Sequence, residues 1–234
     1  MTTNQQRFET VSELQHAIAD AFCQTVEETL REQPAFRVSL SGGSTPRRLY
    51  ELLAERDLPW DRIHWCWGDE RNVPHDHADS NAKMVRDALL DRIEVPDANV
   101  HPVPVIVDSP AESAANYRET LHQLFPDETF PSWDLVLLGM GDDGHTASLF
   151  PHTAALQEDT SWFVENWVEK FDAYRYTLTA PAINSAKRIW FIVSGGNKRS
   201  AFESVMSDDS EAATFPSKLI DPTQWWLTED VLKV

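Results

Sequence analysis

Cysteine is scarce: Cys23 and Cys66 are the only two among 234 residues. Neither stands in a Cys-x-x-Cys or other metal-ligand spacing, so both read as reduced core residues rather than ligands or nucleophiles. Basic residues are also short, 20 against 38 acids, for a formal charge of −18. That shortage disfavours nucleic acid and anionic membranes as partners. It also constrains any anionic substrate, which the global field repels, so its site must concentrate arginine, lysine and backbone N–H groups. No apolar run reaches membrane-spanning length, and Met1-Thr-Thr-Asn-Gln-Gln lacks the basic and apolar regions of a signal peptide. Internal repeats, low-complexity tracts and long linkers are missing too. The expectation is a soluble, cytoplasmic protein forming one domain over residues 1–234. A hydrophobic content of 41 %, with nine tryptophans and eleven phenylalanines, excludes disorder.

The spacing of Val11, Leu14, Ile18, Phe22, Val26 and Leu30 predicts an amphipathic helix from Val11 to Gln33, closed by Pro34. Thr10 with Glu13, or Ser12 with Gln15, supplies its capping box. Short strands are expected at Phe36–Leu40, Ile63–Trp67, Ile189–Val193 and Trp225–Leu227, and further ones at Trp162–Val168 and Tyr174–Thr179. Helices are expected at Arg47–Ala54 behind Pro46, at Asn81–Ile93, at Ser113–Leu124 and from Asn197 to Met206. Pro102 and Pro104 restrict Val100–Val107 to an edge strand or an extended loop. Gly68–Pro74 reads as a loop. Strands alternating with helices indicate an α/β fold: an open, largely parallel sheet with helices on both faces, Rossmann-like in three layers, with room for a small β appendage.

The most informative stretch is Asp134-Leu-Val-Leu-Leu-Gly-Met-Gly-Asp-Asp-Gly-His-Thr-Ala-Ser-Leu-Phe-Pro151. Its apolar start reads as a strand buried on both faces. Gly139, Gly141 and Gly144 then break the pattern, and Asp142, Asp143 and His145 follow at once. Ligands of open α/β sheets bind at the carboxyl ends of strands, where such a turn can hold a general base. Three strands, ending at Leu40, Leu138 and Val193, run into glycine turns that lead towards helices. Right-handed crossovers bring those turns to one sheet edge. That edge therefore gathers Ser41–Thr45, Asp142–His145 and Ser194–Lys198, joined by the Gly68–Arg71 loop.

Ser41-Gly42-Gly43-Ser44-Thr45-Pro46 is a candidate anion site, because free N–H groups at a helix start and small hydroxyls suit a phosphate. The alternative is a plain N-cap turn. No Gly-Lys-Ser/Thr follows it, and it is not a Gly-x-Gly-x-x-Gly turn, so ATP and NAD are poorly supported. Lys198 can add a point charge, and Arg71 or Arg175 a planar fork. Taken singly, each reads first as a surface ion-pair partner for the 38 acids. His75-Asp-His-Ala-Asp79 has no diagnostic metal spacing and reads as a solvated loop before a helix.

Six segments together carry a resemblance: Ser-Gly-Gly-Ser-Thr-Pro (41–46), Trp-Gly-Asp-Glu-Arg-Asn-Val-Pro (67–74), Asp-His-Ala-Asp-Ser-Asn (76–81), Gly-Met-Gly-Asp-Asp-Gly-His-Thr-Ala-Ser-Leu-Phe-Pro (139–151), Arg-Tyr-Thr-Leu-Thr (175–179) and Val-Ser-Gly-Gly-Asn-Lys (193–198). In this order the chain resembles the 6-phosphogluconolactonases, from about Phe36 onward. Their superfamily also holds glucosamine-6-phosphate isomerase/deaminase. The resemblance implies hydrolysis of 6-phospho-D-glucono-1,5-lactone to 6-phosphogluconate, in the oxidative pentose phosphate pathway, with no cofactor and no metal. It implies His145 as general base and Arg71, Arg175 and Lys198 as substrate-binding residues. Asp69 and Asp143 match acidic positions of the superfamily's sites. The partner implied is a phosphorylated sugar lactone, and no obligate protein partner is evident.

The chemistry suits these residue types. A lactone is an ester, and a neutral imidazole can take the proton from an attacking water. No nucleophilic serine is needed, and no Gly-x-Ser-x-Gly elbow is present. Asp69, Asp142 and Asp143 are all open as the acid that assists His145. Two other readings stay in view. The isomerase/deaminase typically carries Ile-Ala-Phe-Asn-Glu-Pro after its histidine, whereas Thr146-Ala-Ser-Leu-Phe-Pro151 here lacks that glutamate. A sugar-phosphate sensor would keep the phosphate turn and lose the base, but the base is present and no DNA-binding region is appended.

Overall fold

The computed structural model describes residues 4–232. Its strands are β1 (Asn4–Phe8), β2 (Phe36–Leu40), β3 (Ile63–Trp67), β4 (Asp69–Arg71), β5 (Val100–His101), β6 (Leu135–Gly139), β7 (Phe163–Val168), β8 (Ala173–Leu178), β9 (Ile189–Val193) and β10 (Gln224–Thr228). The α-helices are α1 (Val11–Glu32), α2 (Ser44–Leu53), α3 (Asn81–Ala88), α4 (Pro110–Leu124), α5 (Ala180–Asn184) and α6 (Arg199–Met206). Seven strands form one parallel sheet in the order β1-β10-β9-β6-β2-β3-β5. A second, antiparallel sheet has the order β4-β8-β7. The expected open α/β sheet and its β appendage are thus both present. No helix among the described residues is long and apolar enough to cross a membrane.

Local chemistry accounts for the main elements. The Thr10–Glu13 pair is the capping box of α1: the Thr10 hydroxyl accepts from the Glu13 N–H, and the Glu13 carboxylate accepts from the Thr10 N–H, both at 3.1 Å. Leu14, Ile18, Phe22 and Val26 bury one face of that helix. In β3, Trp65 turns to α1 and stacks on Phe22 at 6.1 Å. All five residues of β9 and all five of β10 are buried, so both faces of the sheet are covered there. On one face Phe191 stacks on Trp225, against which Phe202 of α6 packs edge-on; on the other, Trp190 meets Trp226.

Several elements differ from the sequence expectation. β1 is polar and largely exposed, and only its parallel pairing with β10 makes it a strand. Asp69–Arg71 is a strand rather than loop, because it pairs with β8 although three polar residues carry no apolar alternation. α2 starts at Ser44, so Pro46 is its third residue rather than its first. α3 stops at Ala88, and Leu90–Arg92 tightens into a 3-10 turn. No α-helix follows β6; turns carry the chain to a 3-10 turn at Ala154–Gln157 and on to β7.

The order of the large sheet positions the site. From β2 the chain proceeds through β3 to β5 on one side; β6 then takes the other flank of β2 and leads to β9 and β10. The loops leaving β2 and β6 diverge, and a crevice opens between them at the carboxyl ends of the strands.

At the β3–β5 margin His64 Nδ1 lies 3.0 Å from His101 Nε2. Burial first, and then Arg37, lower the His64 pKa; burial first, and then His64, lower that of His101 to about 4. Unfolded histidine takes its proton near pH 6.5, so below that value the unfolded chain binds protons that the native pair refuses. The resulting stability is complete above about pH 6.5 and is lost as pH falls towards about 4. The urea midpoint is therefore expected to fall between pH 7 and pH 5, and a His64→Gln, His101→Gln double variant to lose most of that fall.

Candidate active site

The crevice between β2 and β6 is a cleft of about 210 Å³. Its lining includes Ser41, Gly42 and Gly43 from the β2 turn, Asp69 and Arg71 from β4, His145 from the β6 loop, and Lys198. Ser44 and Thr45 line an adjoining recess of about 160 Å³, which Lys198 shares. Most of the expected site residues therefore converge. Asp143 stands behind His145 rather than on the cleft wall, and Arg175 lies beside Arg71, its partner across the β4–β8 ladder.

The β6 loop is built to hold the histidine. Gly141 N–H donates to the His145 carbonyl at 2.8 Å, and Gly144 takes a left-handed step at φ +74°. A Cβ on Gly141 would lie 2.0 Å from His145 Nδ1, so only glycine admits the ring there. His145 Nδ1 meets Asp143 Oδ1 at 2.5 Å, and the ring stacks on Phe150 at 4.1 Å. Of the three acids left open by the sequence, Asp143 is thus the one in contact. Burial raises its pKa, but hydrogen bonds and charge from His145, with a hydrogen bond from Lys170, outweigh burial and hold the carboxyl well below the usual range. An ionised Asp143 accepts the hydrogen bond of Nδ1–H, and in that neutral tautomer Nε2 keeps its lone pair.

Asp69 is buried, and its Oδ2 accepts from Ser148 Oγ at 3.1 Å. Asn81 Nδ2 donates to the Asp69 carbonyl at 2.9 Å. A Cβ on Gly42 would lie 2.0 Å from Asn81 Oδ1, so the β2 turn and the α3 start interlock through this glycine. Glu70 accepts the backbone N–H groups of Asn81 and Ala82, each at 2.7 Å, and so ties β4 to the start of α3. The Tyr50 hydroxyl receives the Ser41 N–H and donates to the Ser41 carbonyl, clamping the other side of the turn.

Three cations face this corner of an acidic protein. Among the described residues, Arg71, Arg175 and Lys198 have no carboxylate within 4.0 Å, unlike the cations of the ion pairs elsewhere. Arg71 donates to the Asp79 carbonyl at 2.6 Å, and the Arg175 guanidinium lies 5.0 Å from the centre of the Phe171 ring. Burial and then Arg71 pull the Arg175 pKa down. Like charges directly opposed across a ladder repel, and an anion between them relieves that. α2 adds to the positive field, for its cap Gly43, at φ +107°, offers no side chain to its first N–H groups. Thr45 Oγ1 instead pairs with Ser194 Oγ at 2.9 Å.

A larger, mostly apolar cleft of about 800 Å³ adjoins, with Phe150, Trp167 and Lys170 in its walls. Asp143 lines it too, but of these two clefts His145, Arg71 and Lys198 line only the smaller. The sequence reading missed Lys170, Phe171, Tyr50 and the Ser148 contact. Ser148 lay inside a quoted motif; Lys170 carries no local signal, being 27 positions from the acid it touches. Among the described residues, no group of three or more His, Cys, Asp or Glu is disposed to hold a metal ion.

The family described as glucosamine-6-phosphate isomerases/6-phosphogluconolactonase matches residues 9–230. The chain belongs to that family. It is 47 % identical to the 6-phosphogluconolactonase of Nostoc sp. over 207 residues, covering 87 % of this chain and 85 % of the relative. The 6-phosphogluconolactonase of Synechocystis sp. is 43 % identical over 84 % of this chain and 82 % of its own length. Among solved structures, 6-phosphogluconolactonase from Trypanosoma cruzi superposes with a TM-score of 0.88 at 26 % identity, covering 98 % of this chain and 96 % of that one. A monomeric glucosamine-6-phosphate deaminase gives 0.82 at 19 % identity, over 98 % of both chains, a likeness of fold alone.

Proposed function

We propose that this chain hydrolyses 6-phospho-D-glucono-1,5-lactone to 6-phospho-D-gluconate, with His145 as general base. The observation that carries the reading is the Asp143–His145 contact at 2.5 Å, on a ring that shares its cleft with Arg71 and Lys198. Asp143 orients the ring with Nε2 unprotonated. Nε2 takes a proton from water as the water oxygen bonds to the lactone carbonyl carbon. The tetrahedral oxyanion is met by glycine-turn N–H groups or arginine, at about 3–4 kcal/mol for such a donor. The bond from that carbon to the ring oxygen then breaks, and the imidazolium returns the proton to the departing oxygen. The Ser41–Thr45 turn, Lys198 and the Arg71–Arg175 pair grip the phosphate and hold the lactone in register. Asp69, held by Ser148, completes the acidic side of the cleft.

The isomerase/deaminase reading draws no support from the segment after His145. Thr146 is buried and its hydroxyl donates to the Gly139 carbonyl at 2.8 Å, and no glutamate follows it before Pro151.

The test generates the lactone in situ from glucose 6-phosphate with its dehydrogenase and compares hydrolysis with that in buffer. Acceleration is expected, with no ammonia released from glucosamine 6-phosphate. The reverse pattern would overturn the assignment. Lys198→Ala is expected to raise KM about tenfold, the worth of one charge-assisted hydrogen bond; an unchanged KM would remove Lys198 from the phosphate grip.

A further inference from the structure

The turn Glu169–Phe171 joins β7 to β8 at the tip of the small sheet. It reaches the candidate base by two routes. Lys170 Nζ donates to Asp143 Oδ2 at 3.0 Å, while Asp143 Oδ1 holds His145 Nδ1 at 2.5 Å. Phe171 meets Phe150 edge-on at 5.4 Å, and Phe150 stacks on the His145 ring at 4.1 Å. The same Phe171 ring lies under the Arg175 guanidinium. One turn thus touches the polar support of the imidazole, its apolar support and a cation of the substrate corner.

We infer that Lys170 is a positioning residue that holds Asp143 in place and sets the proton affinity of His145, a role that rests on His145 being the base. An ordinary exposed ion pair is worth little. Here, though, only one partner is exposed: the Lys170 side chain is 55 % accessible and that of Asp143 is 26 %. The pair also shares its carboxylate with the histidine, so the cation divides the negative charge that the imidazole feels. The other charged groups around the ring are Asp142 in its own loop, Asp69, Arg71 and Lys198 along the cleft, and Arg175 beyond Arg71. None of these is hydrogen-bonded to Asp143; Lys170 is.

Removing the ammonium leaves Asp143 a fuller counter-charge and favours the imidazolium. In Lys170→Met the His145 titration, followed by NMR of the ring protons, is expected to move up by about half a pH unit. The acid limb of kcat moves with it, a loss of about threefold below the limb, while KM holds, since Lys170 does not line the substrate cleft. Lys170→Arg keeps the charge and is expected to restore both. A folded Lys170→Met protein whose ring titration does not move would overturn the inference, as would a loss of kcat equal at every pH. His145→Gln separates the two readings: if it hydrolysed the lactone at the wild-type rate, the base assignment would fail, and the ring titrations of wild type and Lys170→Met would still decide the role of Lys170.

Discussion

His145→Ala is expected to lower kcat for lactone opening by about 10²–10⁴-fold, the usual worth of a positioned general base. Binding is expected to change far less, because Lys198, Arg71 and the β2 turn are untouched. The substitution removes a ring that is only partly buried, so melting is expected within a few degrees of wild type. The lactone also opens in buffer alone, so the rate must be read above that background. If the variant accelerated hydrolysis as well as the wild type, a base other than His145 would have to be found. Asp69 would then be the first candidate, as the carboxylate on the cleft wall.

Gly141→Ala is expected to cost about 10²-fold in kcat, the scale set by a displacement of one ångström at a reacting group. Its Cβ would sit 2.0 Å from His145 Nδ1, 2.2 Å from Cε1 and 2.7 Å from Asp143 Oδ1. The obstructing atoms belong to side chains rather than backbone, and Gly141 is not among the residues at positive φ. The fold can therefore accept the methyl group by turning the histidine aside. The signature is a folded protein with near-normal KM and poor turnover. Loss of folding together with activity would mean that the loop, and not the ring, was what the methyl group disturbed.

Much of this was legible in the sequence where chemistry and periodicity coincide. β6 and β9 follow from apolar runs bounded by turn residues, and the α1 cap from Thr10 and Glu13. The cleft residues were legible because they sit in the turns after strands, and parallel topology sends those turns to one edge. What could not be read is what arises between distant segments. Asp69–Arg71 becomes a strand only because β8 supplies a partner, and that pairing is what sets Arg71 opposite Arg175. Lys170 gained meaning only when the small sheet folded back over the β6 loop. The choice among Asp69, Asp142 and Asp143 needed the turn geometry, since three acids close in space or sequence look alike until one is seen to meet the imidazole.

The strand order also bears on how the chain reaches its fold. Among the described residues β1 has β10 as its one sheet partner, so its pairing joins residues as far apart as Asn4 and Gln224. That closure carries the entropy of a loop spanning nearly the whole chain, and contacts of such long range slow folding. Until β10 is in place, Ile189-Trp-Phe-Ile-Val193 has an open flank, an apolar edge of the kind that invites pairing with another chain. β10 covers that flank, and the polar β1 then ends the sheet with a rim of Asn, Gln and Arg. β10 thus closes an apolar edge, and β1 leaves a polar one in its place.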